Sequence, residues 1–136
     1  VAGWLLWRRR RRAAALVLGA VAGGWMLNGA LKLWIGRPRP STAAVTEVFG
    51  SSFPSGHAMG GTALWVALAL VCLAGCRSVP ARRAVLAAAV VLVALTALSR
   101  PVLGVHYFSD VLAGVAGGLA WTLWLARIWL PEQKLG

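Results

Sequence analysis

Residues 84–98 read AVLAAAVVLVALTAL, an uncharged run closed by Arg83 on one side and by Ser99-Arg100 on the other. A run this apolar, with a cation at each end, reads as a helix crossing a bilayer. It is the shortest of four such runs, and its helix has room to begin earlier. The others extend from about Ala13 to Ile35, from His57 to Cys76 and from His106 to Leu130. Each approaches or exceeds the roughly 17 to 25 residues that a bilayer requires. Gly19, Gly23 and Gly24 in the first run, with Gly114, Gly117 and Gly118 in the last, offer close helix packing. Trp4, Trp7, Trp34, Trp124 and Trp129 lie near the run ends, as an aromatic belt does. The expected fold is all-α: a transmembrane helix bundle with four spans, forming one membrane-embedded domain over residues 1–136.

Composition agrees. Of 136 residues, 60% are hydrophobic and 12% charged, about half the charged share of a soluble domain. The net charge of +11 does not read as a nucleic-acid surface, because the cations sit between apolar spans rather than along a soluble face. They sort by side instead. Arg8 to Arg12, Arg77, Arg82, Arg83, Arg127 and Lys134 fall on one side of a four-span chain, and Lys32, Arg37, Arg39 and Arg100 on the other. The positive-inside rule assigns the richer side to the cytoplasm. The connection from Gly36 to Gly56 reads as a loop, with Pro38, Pro40 and Pro54 barring a continuous helix. Arg100 to Val105 reads as a short turn.

The acids are few: Glu47, Asp110 and Glu132. A hard-metal site takes several oxygen ligands and a zinc site clustered His, Cys or carboxylates. Two His and one nearby Asp hardly supply either, so the expected chemistry uses no metal and no cofactor. Cys72 and Cys76 allow a redox pair or an acylation site, but read more simply as small apolar residues near a helix end.

The polar residues that remain gather on the cation-poor side. His106 and Asp110 are spaced i, i+4, so on one helix they share a face. Asp110 can fix the imidazole tautomer and leave the other nitrogen free to attack, or it can simply cap the helix. His57 follows Pro54-Ser55-Gly56 at the start of a span, where free backbone N–H groups favour an anion; Ser55 alone reads equally as an N-cap. Lys32, Arg39 and Arg100, taken singly, read as interfacial anchors. Together on one side, with two imidazoles and a carboxylate, they form the cationic clamp that a transferring phosphoryl group needs.

Lys32-x6-Arg39-Pro40, then Pro54-Ser55-Gly56-His57, then Ser99-Arg100-x5-His106-x3-Asp110 resembles the phosphatidic acid phosphatase type 2 superfamily, in order and in internal spacing. That family includes bacterial undecaprenyl-pyrophosphate and phosphatidylglycerophosphate phosphatases and vanadium-dependent haloperoxidases. The resemblance implies that His106 forms a phosphohistidine, oriented by Asp110, and that His57 protonates the leaving group. It implies that Lys32, Arg39 and Arg100 bind phosphoryl oxygens, with Ser55 and Gly56 adding hydroxyl and backbone contacts. Arg37 lies outside the family's fixed positions and is at most a helper.

Integral members of the family typically have six spans, so Val1 to Trp7 is expected to be the tail of an earlier helix, with about two spans lacking. The implied function is hydrolysis of a lipid phosphomonoester or pyrophosphate, such as phosphatidate, phosphatidylglycerophosphate or undecaprenyl pyrophosphate, at the extracytoplasmic rim of a bacterial cytoplasmic membrane. The expected partners are the bilayer and the lipid phosphate, not nucleic acid. A non-catalytic lipid-binding or assembly protein that keeps the motif is the alternative. The continuous apolar spans argue against a soluble haloperoxidase.

Overall fold

A computed structural model describes residues 1–40 and 49–130. Glu47, Glu132 and Lys134 therefore lie outside the described residues. Five helices follow in order: α1 (Ala2–Trp7), α2 (Arg11–Ile35), α3 (Gly56–Leu73), α4 (Val79–Val102) and α5 (Phe108–Trp129). The last four are each long and apolar enough to cross a membrane. Even α3, with 18 residues, extends about 27 Å at ~1.5 Å per residue, close to the thickness of a hydrocarbon core.

Local sequence sets the helix ends. Gly36 closes α2 in the left-handed conformation at φ 61° and donates its N–H to Lys32 O. A side chain is strained there, so glycine suits the stop. Ser55 caps α3, its Oγ accepting from Ala58 N–H, and Ser78 caps α4 by accepting from Ala81 N–H. Asp110, at the third position of α5, accepts the Tyr107 backbone N–H at 2.9 Å, which is half of a capping box.

Three boundaries differ from the sequence reading. Helix α4 begins at Val79 and runs through Pro101 to Val102, so Arg100 sits in a helical last turn and not in a loop. Pro101 has no N–H to donate to the Ala97 carbonyl and its ring crowds that carbonyl, and the helix closes one residue later at Val102. Helix α5 starts at Phe108, which leaves His106 just outside the helix that carries Asp110. Helix α3 stops at Leu73, so Cys72 lies in its last turn while Cys76 lies beyond it. Ala2–Trp7 is a short helix, and Leu5 is buried in the cluster with Leu16, Val17, Ala20, Ala63, Ala67 and Leu125.

Helix α3 is the centre of the bundle. It packs against α2, α4 and α5, while α4 and α5 touch each other sparingly. Ala58, Met59, Ala63 and Ala67 on α3 are fully buried. The small residues on α5 allow the approach: a Cβ at Gly114 would stand 2.7 Å from Ser55 O, and one at Gly118 would stand 2.4 Å from Met59 O. Both obstacles are backbone and cannot rotate away. By contrast, a Cβ at Gly24 meets Ala63 Cβ at 3.6 Å, an ordinary contact.

Gly114→Ala is therefore expected to push α5 off the N-terminus of α3 and to lower thermal stability in detergent, by the ~1–3 kcal/mol typical of overpacking. Gly24→Ala should be near neutral or stabilising, since alanine is the better helix former. Equal melting temperatures for the two variants would contradict this packing.

Candidate active site

Successive long helices run in opposite directions, so the C-terminus of α2, the N-terminus of α3, the C-terminus of α4 and the N-terminus of α5 share one end of the bundle. Lys32, Ser55, Gly56, His57, Arg100, His106 and Asp110 all belong to that end, with Arg37 and Arg39 on the chain that leaves α2. The other end carries Arg8 to Arg12, Arg77, Arg82, Arg83 and Arg127. The two-sided charge distribution read from the sequence is thus a property of the fold.

His106 is 5% exposed and Asp110 not at all. The His106 Nδ1 stands 3.5 Å from Asp110 Oδ2, an ion-pair approach that falls short of hydrogen-bond geometry, since Nδ1 has no bonded partner among the described residues. The i, i+4 spacing thus brings the pair together even though His106 precedes the helix. Burial first, and then the charges of Arg39 and Lys32, hold the His106 pKa below its ordinary value, with Asp110 pulling the other way. The imidazole is accordingly neutral near pH 7, as a nucleophile must be.

Arg39 reaches across the site. Its Nη1 donates to Val105 O at 2.8 Å, next to His106, while Nε and Nη2 donate to Gly50 O and Phe49 O. Burial and then the charge of Arg100 lower its pKa. Like charges held this near one another store repulsion that an anion between them relieves. Arg100 adds a buried Nε with no acceptor among the described residues. Lys32 donates to Ser51 O, which places its ammonium beneath the same loop.

Ser55 does two things at the start of α3. Its Oγ caps the helix, and its backbone N–H donates to Asp110 O at 3.0 Å, fixing the α3 N-terminus against the His106–Asp110 segment. A side chain at Gly56 would be tight, because a Cβ would stand 3.0 Å from Asn28 Oδ1 and the amide would have to give way. His57 follows in the first turn of α3 and, unlike His106, is exposed.

Two residues carry more of this geometry than the sequence reading gave them. Asn28 is buried and donates to Pro54 O at 3.2 Å, bracing the Pro54-Ser55-Gly56 loop from α2. Its signal was available: it is the lone amide in an otherwise apolar span, one helical turn before Lys32. Arg37, read as a helper, donates through Nη1 to Asp110 Oδ1 and to Ser109 Oγ, both at 2.8 Å. Ser52, fully buried, ties the loop shut by donating its N–H to Arg37 O and its hydroxyl to Pro38 O.

A family model described as the PAP2 superfamily matches residues 13–134. Phosphatidylglycerophosphatase B of Bacillus subtilis (strain 168) is 36% identical over 98 residues, which are 69% of this chain and 47% of that protein. The chain thus spans about half the length of this curated relative. A crystal structure described as that of a transmembrane PAP2 type phosphatidylglycerolphosphate phosphatase from Bacillus subtilis superposes with a TM-score of 0.86 at 27% identity, covering 99% of this chain and 68% of that one.

Proposed function

The chain belongs to the PAP2 superfamily and is an integral membrane protein; on that premise we propose that it hydrolyses the phosphate of a membrane lipid through a phosphohistidine on His106. One observation carries the reading: the backbone bond from Ser55 to Asp110 and the Arg39 bond to Val105 lock the phosphate-binding segments onto the histidine segment. A phosphoryl group bound by Lys32, Arg39, Arg100 and the α3 N-terminus is thereby presented to His106.

The steps follow from the residues. The His106 Nε2 lone pair attacks phosphorus in line, the bond from phosphorus to the lipid oxygen breaks, and that oxygen takes a proton from His57. Water then attacks the phosphohistidine while His57, now neutral, accepts the water proton. The P–N bond breaks, and phosphate leaves with His106 restored. The guanidinium and ammonium groups neutralise charge that develops on the equatorial oxygens, so no metal is required in the scheme. The lipid tail stays among the spans while the headgroup enters at the rim.

The names of these relatives favour phosphatidylglycerophosphate as substrate. Phosphate release by the purified protein from phosphatidylglycerophosphate, phosphatidate and undecaprenyl pyrophosphate, assayed side by side in EDTA, tests the reading. Turnover of the first in EDTA, inhibited by vanadate, is the expected result. Loss on chelation with recovery on adding Mg²⁺ would sink the metal-free scheme. Silence on all three lipids would favour the non-catalytic alternative.

The site end is extracytoplasmic in this reading, because the opposite end holds the excess of cations. Phe49 lies on the site-side connection and is 88% exposed. A Cys at position 49, on a background lacking Cys72 and Cys76, is expected to react with a membrane-impermeant thiol reagent in intact cells. Labelling that requires permeabilisation would reverse the orientation.

A further inference from the structure

We infer that Arg37 is a positioning residue, which holds the Asp110 carboxylate by one oxygen so that the other is offered to His106 Nδ1. The inference rests on the reading of His106 as nucleophile and adds a residue to it. Arg37 and Arg39 flank Pro38 in the non-helical stretch that follows α2, and their side chains take different partners. Arg39 turns to Val105, Phe49 and Gly50, and Arg37 turns to α5.

The grip is specific. Arg37 Nη1 reaches Asp110 Oδ1 and Ser109 Oγ, its guanidinium lies 4.2 Å from the centre of the Tyr107 ring, and its own carbonyl is held by Ser52 N–H. Asp110 Oδ2 accepts the Tyr107 N–H and faces Nδ1. Both carboxylate oxygens are thus committed, and the plane of the group is set. Among the described residues, Arg37 is the one Lys or Arg within ion-pair distance of this fully buried carboxylate.

Charge matters as much as orientation. A buried carboxylate beside an imidazole favours the imidazolium, which cannot attack. Arg37 offsets that charge, so Asp110 can accept a hydrogen bond from the ring without holding a second proton on it. The groups around His106 are Lys32 from α2, Arg37 and Arg39 from the following loop, His57 from α3, Arg100 from α4 and Asp110 from α5. Of these only Asp110 favours protonation, and of the cations among the described residues only Arg37 is bonded to its carboxylate.

The chain has two histidines, so ¹⁵N-histidine NMR of the full chain in nanodiscs resolves both, with His57→Gln assigning them. Arg37→Gln is expected to raise the His106 pKa by about one pH unit, the lower end of what a nearby charge contributes. Its kcat should fall about tenfold on the acid side of the pH profile, recover as pH rises, and leave KM little changed. Arg37→Lys keeps the charge but not the forked bond, so it should retain a near wild-type titration with a smaller kcat loss.

In an Asp110→Asn background, Arg37→Gln should no longer move the His106 titration. An unmoved titration in Arg37→Gln with a raised KM would overturn the inference and make Arg37 a phosphate ligand. If Arg37→Gln does not fold, a raised KM in Arg37→Lys is the overturning result. The titration needs no turnover, so failure to find a lipid substrate and failure of this inference are separate outcomes.

Discussion

Alanine at position 106 is expected to leave no measurable turnover on any phosphate ester, lipid or soluble, in a protein that remains folded. In the proposed scheme the nucleophile is then gone, and the covalent route has no substitute, since His57 lies in α3 with its own task. Folding should survive, because Nδ1 of His106 contributes no hydrogen bond to the resting structure and the ring is otherwise a packing element. Wild-type detergent melting alongside absent phosphate release is the decisive pair of measurements. Residual activity within tenfold of wild type would mean that another group attacks.

The pH profile of the unmodified protein carries the same information with a definite sign. In the proposed scheme attack requires neutral His106, and its pKa lies below the ordinary value because burial, then Arg39 and Lys32, disfavour the charged form. The acid limb of kcat/KM should therefore fall below the ordinary histidine range near 6.5. A limb well above it would show Asp110 dominating, with the ring protonated at neutral pH.

The spans and the residues gathered at the site end were legible because each rests on local information. Uncharged runs declare themselves by length, and Pro54-Ser55-Gly56-His57 or His106-x3-Asp110 needs only a few consecutive positions. The i, i+4 argument succeeded for a slightly different reason than the one offered. His106 precedes α5 and its backbone is not helical, yet the turn at Tyr107 keeps it within reach of Asp110.

Arg37 and Asn28 could not be weighed the same way. Their partners lie 73 and 26 residues away, and only the packing of α2 against α3 and α5 brings them together. Pro101 misled for the opposite reason. A proline is a strong local breaker in a helix interior, but α4 extends just past it, which places Arg100 on a rigid helix end rather than a pliable turn. A rigid mount suits a clamp, because a guanidinium that need not be ordered on binding loses less entropy.

The division of labour between the histidines predicts a dependence on leaving group. His57 is exposed where His106 is buried, so it can exchange protons with water between the two halves of the reaction. A lipid alkoxide is a poor leaving group and, in the proposed scheme, takes its proton from His57, whereas a nitrophenolate departs almost unaided. General acid catalysis is typically worth about 10²- to 10⁴-fold. His57→Ala should therefore lose activity in that range on a lipid phosphate and far less on p-nitrophenyl phosphate, provided that formation of the phosphoenzyme limits both rates. The same variant, quenched rapidly, should still carry a phosphoryl group on His106, and for longer, because water activation is impaired as well. Equal losses on the two substrates would reduce His57 to a phosphate-binding group. A phosphoryl group trapped on His57 would exchange the two roles and leave the Arg37–Asp110 pair orienting the wrong base.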